Sequence, residues 1–125
     1  MQKRAIRLIT NSHYNAHAQP IFKSQNILKL CDLHKLQIHK FMFQYHQGNL
    51  PISLNSMFIQ NYEIHNHVTR HRNDAHIQPR RTFQATQAIR HKGPKLWQNL
   101  SYDEKNNRTI HTFSRKIKQS MLNTY

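Results

Sequence analysis

Apolar residues recur at helical spacing along this chain, and the strongest run lies near its middle. Over residues 29–47, Leu30, Leu33, Leu36, Ile38, Phe41, Met42, Phe43 and Tyr45 point to most sides of a helical wheel. A helix apolar nearly all round is a buried one, so this segment is expected at the centre of the fold. Only narrow polar strips remain, around Lys35, His39 and His46 and around Lys40 and Gln47. Gly48 stands where a C′ glycine would end the helix, and Pro51 keeps it from resuming.

The two ends of the chain read as helices that pack on this centre. Met1, Ala5, Leu8 and Ile9 follow the i, i+4, i+7, i+8 spacing, with Lys3, Arg4 and Arg7 largely on the other side. A break at 11–20 leads into a short helix near 16–24, and LNSMFIQ (54–60) suits one further helical turn. Toward the other end, Ile110, Phe113, Ile117 and Met121 step by three, four and four over residues 109–123, with Leu122 beside them. Arg115, Lys116, Lys118 and Gln119 cover its other faces, and the late lysines suit the negative end of the helix dipole.

The middle is different. Residues 61–80 are polar, rich in His, Arg and Asn, and lack sustained periodicity, so they read as a partly mobile loop. Extended segments near 76–81 and 87–91 could pair as a small hairpin. In HKGPKLWQNL (91–100), Gly93 suits an N-cap or turn and Pro94 the first position of a helix. Leu96, Trp97 and Leu100 then share one side of a short helix, which sets Trp97 into the core. The expected fold is mainly α. A buried central helix is packed by N- and C-terminal helices, with a basic loop and a small β-hairpin between 61 and 92. The segments 1–60, 61–92 and 93–125 form one compact domain.

Charge narrows the function. Nineteen Lys and Arg face five acids, a net charge of +14 before any of the eleven histidines is protonated. Such an excess favours polyanions, chiefly RNA or DNA, through phosphate neutralisation and counterion release. An anionic membrane surface is the second candidate on charge. No apolar run is long enough for a transmembrane helix. A single cysteine, Cys31, permits no intrachain disulfide and suits an intracellular setting, nucleus or cytoplasm.

Catalytic chemistry finds little support. His65, His67, His71 and His76 include a His-x-His pair, but structural zinc sites usually need more cysteines than this chain has. Cys31 and His34 could touch on one helix, yet Cys31 falls on the side expected to be buried, where a thiol is inert. Asp103 and Glu104 read as acids stabilised near the N-terminus of the last helix. With Gly48 and Gly93 the only glycines, neither a Walker-type loop nor GxGxxG can be built. No catalytic residue, metal or cofactor is assigned.

The basic constellation is more informative. Arg70, Arg72, Arg80, Arg81, Arg90, Lys92 and Lys95 lie between residues 70 and 95, with Asp74 the sole acid among them. Together with Arg115 and Lys116 they form the candidate nucleic-acid-binding set. Arginine suits bidentate phosphate contacts. Tyr62, Phe83 and Trp97 could stack on unpaired bases, although docking to the core is the default for side chains this large. Gly93, Pro94 and Trp97 are assigned a structural role.

Five stretches, in order, carry a resemblance. They are QKRAIRLITNSHYNAHAQPIF, NILKLCDLHKLQIHKFMFQYHQGNLP, the His65-Asn66-x-x-Thr69-Arg70 element, RHKGPKLWQNL and FSRKIKQSML. Together they resemble the extreme C-terminal region of reverse transcriptases from LINE-like, non-LTR retrotransposons of animals. Two departures stand out: His67-Val68 replaces a more usual Tyr-Asn, and Ser101 stands where a proline typically follows. The resemblance implies a truncated reading frame, since Met1 falls inside otherwise continuous family sequence. It also implies a tail without the polymerase Asp-Asp turn or the endonuclease domain, and so without catalysis. Such a tail would help hold RNA or DNA, or would dock on the polymerase thumb of its parent protein.

Overall fold

The computed structural model describes all residues from Met1 to Tyr125. Nine helices follow one another: α1 (Gln2–Ile9), α2 (Ala18–Ser24), α3 (Leu30–His46), α4 (Ile52–Asn55), α5 (Asn61–Ile64), α6 (Phe83–Gln87), α7 (Ile89–Gln98), α8 (Tyr102–Lys105) and α9 (Ile110–Asn123). The fold is mainly α, and α3 is its central element, packed against α7 and α9.

The main core gathers where these three helices meet. Met42 and Phe43 of α3 face Trp97 of α7 and Phe113 and Ile117 of α9, all buried. Phe43 and Phe113 stack with centroids 4.5 Å apart and planes inclined by 21°. A smaller cluster of Ile6, Ala18 and Phe22 joins α1 to α2, and Tyr125 packs against both clusters. Gly48 adopts φ +70 just beyond the C-cap of α3, the left-handed conformation that ends a helix most cheaply with glycine.

The central helix is buried over only part of its length. Leu36, Ile38, His39, Met42, Phe43 and Tyr45 are covered, whereas Leu30, Leu33 and Cys31 in the first turns are exposed. The expected burial of Cys31 is therefore wrong: the first turns of α3 present Leu30, Cys31 and Leu33 to solvent, and its buried residues begin at Leu36. No hydrogen bond joins Cys31 to His34.

The N-terminal helix also departs from its expected stripe. Met1, Leu8 and Ile9 are exposed, and Ile6, at 4% exposure, is the residue α1 buries. Polar contacts explain the rotation. Gln2 accepts the N–H of Leu30 at 2.9 Å, serving an otherwise orphaned donor at the start of α3, and donates to the carbonyl of Leu28 at 3.2 Å. Arg7 donates to the carbonyl of Ala16 at 2.8 Å.

The expected hairpin is absent. The only β pairing is one antiparallel bridge between Gln60 and Ala75. It ties the base of the 61–75 loop through His76 N–H to Ile59 C=O (2.7 Å) and Asn61 N–H to Asp74 C=O (3.1 Å). Residues 83–87 form α6 instead, capped by Thr82, and 89–91 begin α7. Pro94 is not the first residue of a helix but lies inside α7, and both it and Gly93 are buried. Proline removes the bond its N–H would make to the carbonyl four residues earlier. The helix continues through it because tertiary packing outweighs local propensity. At Gly93 an added Cβ would come within 2.7 Å of Met42 Sδ, so the missing side chain sets how closely α7 approaches α3.

Asp103 and Glu104 belong to a helix of their own. Ser101 caps α8, its hydroxyl accepting the N–H of Glu104 while that carboxylate accepts the N–H of Ser101 at 3.0 Å. Thr109, not an acid, caps α9.

Candidate nucleic-acid interface

The fold leaves most of its positive charge without an internal partner. Only two of the 19 Lys and Arg residues pair with a carboxylate: Lys35 with Asp32 at 3.2 Å and Lys105 with Asp74 at 3.7 Å. The other seventeen face solvent, backbone or neutral side chains. Five acids cannot neutralise so many cations, and two of those acids, Glu63 and Glu104, are occupied in capping boxes.

Two hollows organise part of this charge. The first, of about 660 Å³, lies between α3 and α9 and is lined by Lys40, His111, Arg115 and Lys118 with Asn26 and Ser114 among its other walls. The α9 residues share one flank because they are spaced by four and three. Phe113 and Ile117 hold that helix against α3, which brings Lys40 to the same hollow. No acid lines it.

The second, of about 650 Å³, is built where the base of the 61–75 loop meets α7 and α8. Arg70, His71, Asp74, Gln98, Tyr102 and Lys105 are among its walls, with Leu100 and Asn106. Asp74 is fixed from two sides, by His71 Nδ1 at 2.7 Å and by Lys105 Nζ. Lys105 also lies over the ring of Trp97, 5.8 Å from its centroid.

The sequence-derived set is divided by this geometry. Arg70 enters the second hollow and Arg115 the first. Lys116 turns the other way, donating to the carbonyl of Asp103 at 2.7 Å and joining α9 to α8. Arg80 donates to Gln78 and Lys92 to Gln87 at 2.7 and 2.9 Å. Arg72, Arg81, Arg90 and Lys95 line neither hollow. The aromatics divide too. Trp97, 4% exposed, is docked in the core as expected, but Tyr62 and Phe83 are exposed. Sequence reasoning missed Lys40, His111 and Lys118, and it missed Gln98, Tyr102, Lys105 and Asn106. The spacing of 111, 115 and 118 was a readable signal; the approach of Lys40 was not.

Two histidines of α3 are unusual. His46 stacks on Trp97 at 4.5 Å with planes 15° apart, and its Nε2 has no hydrogen-bond partner. Burial pushes it down to about 4; Asp74 opposes that shift and Lys105 adds to it. His39, likewise unpartnered at Nδ1, is pushed down to about 4 by burial, with Glu104 opposing and Lys35 adding. Both rings are neutral in the folded protein at neutral pH, so neither adds to the basic surface. No group of three or more His, Cys, Asp or Glu converges as metal ligands. No helix is long and apolar enough to cross a membrane. No protein-family profile, curated protein or solved structure matches the chain.

Proposed function

We propose that this chain is a non-catalytic nucleic-acid-binding tail, the C-terminal fragment of a retrotransposon reverse transcriptase, which binds RNA or single-stranded DNA through its basic surface. The observation that carries the binding is the acid-free hollow of Lys40, His111, Arg115 and Lys118. None of these four side chains has a hydrogen-bond or ion-pair partner inside the protein. Three uncommitted cations, Lys40, Arg115 and Lys118, converging from two helices are suited to backbone phosphates, and the counterions they release drive association. The five ordered sequence elements support the parentage.

The test is binding of labelled RNA and single-stranded DNA across a salt series. The reading expects affinity to fall linearly on a logarithmic salt scale, and the slope to shrink when Arg115 and Lys118 are changed to alanine. Absence of association at low salt sinks it.

A second reading, a segment that docks on an upstream polymerase thumb, is favoured by one feature. Met1, Leu8, Ile9 and Tyr14 are exposed together with Lys3 and Arg4 at the N-terminal end. A contiguous exposed apolar patch suits a protein contact. Binding of the chain to a polymerase domain, lost in a Leu8→Ser, Ile9→Ser variant that still binds RNA, would separate the two.

A further inference from the structure

The second hollow differs from the first in kind, not only in place. The α3–α9 hollow offers cations and no Phe, Tyr or Trp ring. The hollow at α7, α8 and the 61–75 loop combines three sorts of chemistry within about 650 Å³, inside the roughly 300–1,000 Å³ range of small-molecule sites.

Its first component is an aromatic face. Tyr102 is 79% exposed and packs in neither core cluster, and its hydroxyl has no partner. The default reason for a large ring, burial, does not apply to it. The second is a pair of side-chain amides, Gln98 and Asn106, neither of which hydrogen-bonds within the protein. Each offers a donor and an acceptor, the complement a base edge needs. The third is charge. The Arg70 guanidinium has no partner, while Lys105 is shared with Asp74. Asp74, held by His71 and Lys105, places a fixed acceptor on the same wall.

We infer that this hollow is a subsite for one unpaired nucleotide of a single strand. The base stacks on Tyr102, its edge meets Gln98, Asn106 and Asp74, and an adjoining phosphate meets Arg70. A paired base is already stacked and has its edge occupied, so duplex is excluded from the subsite, though not from the cationic surface elsewhere. The inference rests on the nucleic-acid-binding reading but makes a narrower claim: part of the affinity comes from a base, not from phosphate alone.

The experiment compares three labelled probes of equal length at one low salt concentration: a pyrimidine single strand, the same strand with abasic sites throughout, and a duplex. The full chain is expected to bind the intact strand about tenfold more tightly than the abasic one, the order of one stacked base. Tyr102→Ala removes that difference and leaves abasic binding unchanged. Tyr102→Phe keeps it, since the ring is what stacks. Arg70→Gln weakens both strands and, in a salt series, lowers the slope by about 0.7, one phosphate contact on a single strand. Phe83→Ala, an equally exposed aromatic outside the hollow, leaves the difference intact. The ring of Tyr102 is exposed, so its removal spares the fold, and a thermal melt checks this.

If intact and abasic strands bind equally, the subsite is wrong while phosphate binding stands. The subsite is equally wrong if Tyr102→Ala weakens both strands alike, or if Phe83→Ala is the change that abolishes the difference. If no probe binds, both readings fall together.

Discussion

The hydroxyl of Tyr125 donates a 2.6 Å hydrogen bond to Oδ2 of Asp32 and accepts one of 2.9 Å from the backbone N–H of Lys29. Two residues 93 positions apart are thereby joined at the start of the central helix. The ring meets Phe22 edge-on at 6.5 Å, and Lys29 Nζ lies 4.1 Å above it. Tyr125 thus locks α9, α3 and the small α1–α2 cluster to one another.

Replacing Tyr125 with phenylalanine keeps the ring and deletes both bonds. The expected loss is about 1 kcal/mol by denaturant unfolding, the scale of a partly exposed hydrogen bond. The pair also shapes the pH range. Burial pushes Tyr125 up to about 12, helped by the bond to Asp32. The Asp32 carboxyl is raised by burial but lowered more by Tyr125 and Lys35, and lies below its ordinary value. A raised phenol contributes stability that is present below its unfolded value and lost as pH rises toward 12; a lowered carboxyl contributes stability lost as pH falls below its ordinary range. In Tyr125→Phe the alkaline loss between about 10 and 12 should shrink. An unchanged alkaline limb would exclude this assignment.

Trp97→Ala should cost about 3–5 kcal/mol, because it empties a site walled by His46 and Phe113. The basic hollows keep their cations. Chemical denaturation gives the first quantity and binding of a phosphate-only, abasic strand the second. A loss under about 1 kcal/mol would contradict the core role.

Gly93→Ala tests the α3–α7 contact. Helix propensity alone favours alanine by about 1 kcal/mol. The new Cβ meets Met42 Sδ at 2.7 Å and Cγ at 3.4 Å, and Met42 has no exposed surface into which to move. Overpacking of about 1–3 kcal/mol outweighs the propensity, so net destabilisation is expected. Combined with Met42→Ala, the two changes should cost less than their sum. A stabilised Gly93→Ala would show that the helices separate freely.

Acid should unfold this protein early. His39 and His46 titrate near 6.5 when unfolded and about 4 when folded. Stability is therefore complete above about pH 6.5 and is lost as pH falls toward 4, by up to about 1.4 kcal/mol per pH unit for each histidine. His39→Leu should remove about half of this slope. Unfolding free energy measured at pH 7, 6 and 5 checks it.

The apolar spacing of residues 110–122 sufficed to place α9, and Gly48 sufficed to end α3. Periodicity reports which residues can share a helix face, and these helices obey it. It does not report which face is covered. Leu30, Leu33 and Cys31 continue the apolar pattern of α3 but stay exposed, because no neighbouring element covers the face they share. In α1 the polar Gln2 turns toward α3 because an orphaned N–H there needs an acceptor. The hairpin expected between 61 and 92 failed for a related reason: extended propensity has no force without a partner edge, and one bridge at Gln60 and Ala75 is all that forms.

Spacing, residue type and composition were enough to establish the helical class, the central helix, the burial of Trp97 and the excess of positive charge. Where that charge collects depends on the packing of the helices. Lys40 shares a hollow with Arg115 and Lys118 because Phe113 and Ile117 seat α9 on α3, and Tyr102 shares one with Arg70 because the Gln60–Ala75 bridge and the Asp74–Lys105 pair hold the loop toward α8. Both juxtapositions join residues distant in sequence, and no local pattern can encode a meeting that only the packed core enforces.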